Sequence, residues 1–359
     1  MRKTILAAAL ALFAAPAIAQ TPPLVGYGTW FDVPTPASEY TNQYMQEYTA
    51  GQPKRPPNTV YDARGLTFRF RISSNPDPLG YCGTAGLSNV YRYPLRPNAV
   101  DSVWDGGLVI SDTDPDIPGW DRKVFEGAVY CNSAAFLVGT GTPRGSTVRN
   151  IRIDNVWDGI RIASDDCAAT VGLCHHVISG VWLSDVIDDG VEIDKMANAT
   201  ISDSLFDGVL GGISSRIGGT INHSAETITL DGVLMRLRGI PTSRVGAING
   251  LDQIGPLKLE PNSPQVVLKD TIIAFDTFPA DRASAWSSGW LEVDCTKSSN
   301  VMLLWLPDTA YPPAGFPAVP ACITVKTGQE ARMIWQRARA EWIARHPEIM
   351  RAPGDPPAS

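Results

Sequence analysis

One short phrase recurs through the middle of this chain, and it limits the fold more than any other feature. Its three clearest copies are Ile151-Arg152-Ile153-Asp154-Asn155-Val156-Trp157-Asp158-Gly159-Ile160, Val181-Trp182-Leu183-Ser184-Asp185-Val186-Ile187-Asp188-Asp189-Gly190-Val191 and Ile201-Ser202-Asp203-Ser204-Leu205-Phe206-Asp207-Gly208-Val209. Weaker copies begin at Ile228 and Val266. Alternation of the Ile-x-Ile type places every second side chain on one side of a strand. The polar pair that follows caps a turn, and Asp-Gly supplies a second bend. Beyond that bend Ile160-Arg161-Ile162, Val191-Glu192-Ile193, Leu257-Lys258-Leu259 and Leu291-Glu292-Val293 alternate again. A lone unit of this kind cannot bury its apolar side, whereas stacked units can. With Ile153, Leu183, Ile201, Leu230 and Leu268 as anchors, the spacings are 30, 18, 29 and 38 residues. The shortest spacing predicts a bare coil and the longer ones predict coils with inserted loops.

The phrase I-x-I-x-N-V-x-D-G-I resembles the rung repeat of the parallel β-helix proteins of the pectin-lyase-like superfamily, over roughly residues 100–305. The resemblance implies an all-β fold: a right-handed parallel β-helix solenoid. Short strands and turns would also suit a β-sandwich, but stacked Asp-Gly units favour the solenoid. The 32 glycines and 29 prolines among 359 residues agree with many short elements joined by turns.

Four segments are expected. Residues 1–19 read as a signal peptide: Met1-Arg2-Lys3, an apolar run from Thr4 to Ala15, then Pro16-Ala17-Ile18-Ala19 before Gln20. This predicts a secreted or periplasmic protein. Residues 20–100, rich in Pro, Tyr and Gly, form an N-terminal capping segment with one clear strand at Thr67-Phe68-Arg69-Phe70-Arg71-Ile72. Residues 101–325 form the parallel β-helix. Residues 326–359 form a capping helix and tail, with Thr327-Gly328-Gln329-Glu330 as a capping box and Ile334, Ala338 and Trp342 as its apolar stripe.

Cysteines at 82, 131, 167, 174, 295 and 322 fit up to three disulfides in an oxidising compartment. Nearness suggests Cys167–Cys174, Cys295–Cys322 and Cys82–Cys131, although six cysteines allow 15 pairings. No C-x-x-C pair signals zinc. A net charge of −7 with scattered basic residues argues against nucleic acid. No apolar run beyond residue 19 is long enough for a membrane span. Oligomeric state is not legible.

Outward positions on successive parallel strands stand about 4.8 Å apart and form columns. Arg161, Glu192, Lys258 and Glu292 are expected to share one such column, which suits a groove for an extended polysaccharide. The densest spot is Asp188-Asp189-Gly190-Val191-Glu192-Ile193-Asp194-Lys195. Asp189, Glu192 and Asp194 are candidate ligands for Ca²⁺, which takes oxygen donors. Lys195 or Arg216 is a candidate base for β-elimination on a uronate-containing polymer, with Asp189 beside it and Arg161 and Arg236 as carboxylate clamps. This makes a polysaccharide lyase the leading expectation. The alternatives are a glycoside hydrolase using two of Asp158, Asp189 and Asp207, or a noncatalytic glycan binder. Trp157, with Trp104, Trp182, Trp286 and Trp290, offers rings for stacking on sugars, and His176 is placed at the groove edge. The Gly-His-Gly and Arg-x-Lys elements of polygalacturonase-like hydrolases and the W-x-D-H element of pectate lyases are absent.

Overall fold

In the computed structural model, the residues described are 39–40, 57–72, 95, 97, 100–113, 134–138, 144–163, 165–215, 221–241, 251–252, 255–277, 290 and 292–356. The signal-peptide reading of residues 1–19, the Cys82–Cys131 pairing, Arg216 and Trp286 lie outside them.

The chain is an all-β parallel solenoid with a C-terminal helix. Each complete coil visits three walls. Wall III is a seven-stranded parallel sheet: Val60–Asp62, Val103–Asp105, Thr147–Arg149, His175–Ser179, Asn198–Ser202, Thr227–Asp231 and Gln265–Lys269. Walls I and II are two sectors of one larger parallel sheet. Trp182–Ile193 runs through both, pairing first with Arg152–Val156 on wall I and then with Asp158–Ile162 on wall II. Leu205–Ser215 does the same, against Leu234–Leu237 and then Gly255–Leu259. Wall I continues through Ile272–Phe275, Val301–Trp305 and Ile323–Thr327.

The expected repeat was phased across two walls. Leu183 does pair with Ile153 on wall I, but its next neighbour there is Phe206, while Ile201 lies on wall III between Ile178 and Leu230. Along wall III, Val148, Ile178, Ile201, Leu230 and Leu268 advance by 30, 23, 29 and 38 residues, so the 18-residue coil does not exist. Alternation looks the same on every wall, so pattern alone did not separate them. The solenoid also starts before residue 101: Val60–Asp62 and Thr67–Ile72 already occupy walls III and I.

The corner from wall III to wall I is narrow, and its residues adopt left-handed backbone conformations. Asn150, Gly180, Asp203, Gly232 and Asp270 have φ of 56°, 58°, 41°, 68° and 46°. Asn, Asp and Gly are the residues that tolerate this region best. Their amides bond down the stack, from Asn150 to the Ser179 carbonyl (3.1 Å), Gly180 to Ser202 (3.2 Å), Asp203 to Asp231 (2.8 Å), Gly232 to Lys269 and Asp270 to Ser299. At the entry to wall II the need differs. Gly159 and Gly190 do not have positive φ, but the inward Cβ of an alanine at 159 would collide with the Gly190 carbonyl oxygen. At 190 it would stand 3.0 Å from the Gly212 carbonyl oxygen and 3.2 Å from Phe206. Here Asp-Gly serves close packing between coils.

The interior is filled by Ile153, Leu183, Phe206, Met235, Ile273 and Leu303 from wall I, with matching aliphatics from the other walls, all buried. Tyr61, Phe68 and Phe136 surround Trp104 near one end. At the other, Tyr311 and Phe316 of the segment 306–322 pack against Trp305, and Phe316 also meets Phe275. The Cys295–Cys322 disulfide ties that segment, and Cys167–Cys174 closes its own loop, as nearness suggested.

Helix α1 is the single turn Asp165–Ala169, and α2 is Gly328–Arg345. Helix α2 begins as expected but without a side-chain cap from Thr327, and Glu330 instead pairs with Lys326 at 2.8 Å. It packs on the outside of wall I. Ala331, Trp335, Trp342 and Ile343 cover the outward column Trp182, Leu205, Leu234 and Ile272. The tail then returns along the wall. Asp355 takes two hydrogen bonds from buried Arg152, at 2.8 and 2.9 Å, while that guanidinium lies 4.5 Å from the Trp182 ring centre. The aromatic segment 306–322 packs against the last coil's core, and the helix serves as a side clamp.

Gly159→Ala is expected to lower stability by about 1–3 kcal/mol, the usual cost of overpacking. Gly145→Ala, whose new methyl meets only the His175 carbonyl at 3.7 Å, should leave it unchanged within error. Urea unfolding midpoints of the two variants test the corner argument.

Candidate functional site

Wall II carries the charged column. In the strands Ile160-Arg161-Ile162, Val191-Glu192-Ile193, Ile213-Ser214-Ser215 and Leu257-Lys258-Leu259, the flanking residues point into the core. Register therefore sets Arg161, Glu192, Ser214 and Lys258 in one line. Glu292 is not part of it. Val293 bridges Val266, and the Glu292 carbonyl accepts the Val266 amide at 2.9 Å, beside wall III. Nor is the column a solvated strip: Arg161 and Glu192 are 1% and 2% exposed.

The wall I–II corner adds Asp158, Asp188 and Asp189, all buried. The Arg161 guanidinium touches Glu192, reaches Asp194 at 3.0 Å and stands 3.9 Å from Asp158. Lys258 Nζ donates to Asp189 Oδ2 at 2.9 Å and lies 3.9 Å from Asp188. The Asp189 amide donates to Asp158 Oδ1 at 3.2 Å. Carboxylate oxygens of Asp158, Asp189 and Glu192 all lie within 4.8 Å of one another. Among the described residues, five carboxyl groups are thus gathered around Arg161 and Lys258. Burial, followed by the nearby Glu192 and Asp188 carboxylates, holds the Asp158 carboxyl well above its ordinary range despite Arg161. Burial also dominates at Glu192, where Arg161 opposes it and Asp189 and Asp194 reinforce it, and the carboxyl is pushed up to about 8. Lys258 and Asp194 are partly exposed, so the cluster meets solvent through them.

The expected site residues separate into groups. Asp189, Glu192, Arg161 and Asp158 come together, with Asp194 held by Arg161. Lys195 stands in the turn after wall II, and the ammonium that meets Asp189 belongs to Lys258, which the sequence reading had placed only in the strip. Its signal was present in the Leu-Lys-Leu alternation. Arg236 and Asp207 sit on wall I instead. Arg236 donates to Asp207 at 2.7 Å and to Asp276 at 2.5 Å, and Arg339 of α2 also binds Asp207. Arg236 is therefore an internal tie in place of the expected clamp, and Asp207 is no partner for Asp158 or Asp189. Trp157 is 2% exposed in the core, and Trp104 and Trp182 are equally buried, so none offers a sugar platform. His176 is 1% exposed, packed by the Cys167–Cys174 disulfide, and so does not edge a groove. Burial lowers its imidazole pKa to about 4.

No protein-family model, curated relative or solved structure matches the chain. Among the described residues no helix is long and apolar enough to cross a membrane.

The Glu192 pKa has a consequence with a definite sign. Between 4.5 and about 8 the folded chain keeps a proton that the unfolded chain has released. That contribution to stability is complete below the lower value and is lost as pH rises through the upper one. Glu192→Gln cannot ionise, so its unfolding midpoint should fall less across this pH window than that of the parent chain.

Proposed function

We propose that this chain is an exported, right-handed β-helix of the pectin-lyase-like type that cleaves glycosidic bonds in an acidic polysaccharide at the wall II cluster. The observation that carries this reading is the set of mutually close carboxyl groups in unlike environments. Glu192 is pushed up to about 8, while Asp189 is ion-paired to Lys258. A carboxyl group pushed up to about 8 suits a general acid, and the neighbouring Asp189, tied to Lys258, stands where a partner group is needed. Their oxygens lie within 4.8 Å, nearer to the roughly 5–5.5 Å of retaining glycosidases than to the wider gap of inverting ones. Glu192 then protonates the departing glycosidic oxygen, Asp189 attacks the anomeric carbon, and Arg161 orients Glu192. Lys258, the partly exposed cation, faces a uronate carboxylate of the substrate. The Cys167–Cys174 and Cys295–Cys322 disulfides fit an oxidising compartment.

A second reading, β-elimination, is favoured by one specific feature. Asp158, Asp189 and Glu192 present their oxygens together, and Asp189 Oδ1 has no hydrogen-bond partner among the described residues. These residues fit a Ca²⁺ ion, which would neutralise a uronate carboxyl and acidify the adjacent C–H. In that case Lys258, after its ammonium has released one proton to solvent, replaces Lys195 as the candidate base.

Incubation with a polyuronate panel tests the assignment. Hydrolysis gives new reducing ends without the ultraviolet absorbance of an unsaturated uronate, and Asp189→Asn and Glu192→Gln should each lower kcat by about 10²–10⁴-fold. Unsaturated product that vanishes with chelator transfers the assignment to elimination. Binding with no product, or full activity in Glu192→Gln, overturns both.

A further inference from the structure

The strongest feature outside wall II lies where α1 meets wall III. Cys167 of α1 and Cys174 close a seven-residue step, and His176 follows on the strand His175–Ser179. All three are buried, at 0%, 1% and 1% exposure. The His176 ring is unusual in its partners. Its Nε2 stands 3.7 Å from Cys167 Sγ, and its Nδ1 has no hydrogen-bond partner among the described residues. Buried polar groups are nearly always hydrogen-bonded, and sulfur is a weak acceptor. By contrast, buried His223 donates from Nε2 to the Ala168 carbonyl at 3.2 Å and pairs through Nδ1 with Glu226 at 2.5 Å. His176 therefore has no such structural partner and faces the sulfur pair.

The ligand atoms of Cys167, Cys174 and His176 lie within 4.8 Å of one another. Two thiolates and a neutral imidazole are a donor set for a soft or borderline cation, with a fourth position left for water. As a disulfide, the two sulfurs carry no charge to offer. Among the described residues no histidine or carboxylate completes such a group at Cys295–Cys322.

We propose that, in its dithiol form, the loop 167–176 is a Cys₂His site for a zinc-class divalent cation, so that the loop has two alternative staples. A dithiol reductant supplies two electrons and two protons to the sulfur–sulfur bond and leaves as its own disulfide, whereas a phosphine supplies the electrons, water the protons, and the phosphine leaves as its oxide; either way two thiols result. The incoming cation displaces both thiol protons, and His176 adds its lone pair without proton release. Oxidation reverses this: the sulfurs rejoin, two electrons pass to the oxidant and the cation leaves. Compartment decides which staple is present.

Cobalt(II) is the probe, because thiolate ligation gives a charge-transfer band that a carboxylate cluster cannot produce. The full chain, reduced with a phosphine, should develop this band at one equivalent, release about two protons per ion and lose the band to zinc. The oxidised chain should show none. Cys167→Ser with Cys174→Ser should abolish it, His176→Ala should weaken cobalt about tenfold or more, and Cys295→Ser with Cys322→Ser should leave it intact. Circular dichroism keeps the test sharp, since the band must form while the β signal persists. Failure of the reduced chain to give the band overturns the proposal. So does its survival in Cys167→Ser with Cys174→Ser, unaltered affinity in His176→Ala, or binding that appears only after the β signal is lost.

Discussion

The run of left-handed corner residues between walls III and I keeps the coils in step. Each backbone amide there points along the stack to a carbonyl one coil further on, from Asn150 through Asp270. Inserted loops vary the coil length between 23 and 38 residues along this stretch, yet the corner returns every strand to the same phase. Without that reset, Arg161, Glu192 and Lys258 would have no reason to stand in line, because 97 residues separate Arg161 from Lys258. The polar column on wall II and the apolar column on the outside of wall I both follow from one conserved phase within the molecule.

What the chain spelled out plainly was alternation, and alternation is a property of strands whichever wall they join. That is why Ile153, Leu183, Ile201 and Leu230 could be recognised as inward residues of a parallel stack and yet be strung together across two walls. The Cys167 and Cys174 pair, the start of α2 and the shared line of Arg161, Glu192 and Lys258 depended only on local spacing or on phase within one wall, and these were legible. Burial was not. Whether Arg161 meets water depends on what lies over wall II, and nothing in Ile-Arg-Ile states it. The same holds for Trp182, which looked like a ring for a sugar and instead meets Trp342 and Arg351, some 160 residues later in the chain.

Charge is concentrated where it is expensive. Removing ions from water costs several kcal/mol each unless partners compensate, and among the described residues wall II buries Asp158, Asp188, Asp189 and Glu192 beside Arg161. A purely structural ladder would be expected to balance itself, as Arg236 does between Asp207 and Asp276 on wall I. Burial, with neighbouring carboxylates, raises both Asp158 and Glu192, and Glu192, pushed up to about 8, keeps a proton near neutrality that it can donate. Perturbed groups of this kind cluster at functional sites more often than elsewhere. The contrast between the ion-paired ties of wall I and the raised carboxyl groups of wall II is the main physical reason for proposing chemistry on the latter.

The bond between Arg152 and Asp355 spans 203 residues, and it has a consequence for the order in which the molecule is made. Coils can be laid down one after another as the ribosome advances, each templating its successor. The greasy exterior formed by Trp182, Leu205, Leu234 and Ile272 stays uncovered until helix α2, which carries Ala331, Trp335, Trp342 and Ile343, has emerged. A nascent chain therefore keeps a sticky flank from the time these strands form until the helix follows them, which leaves a chaperone an interval in which to hold it.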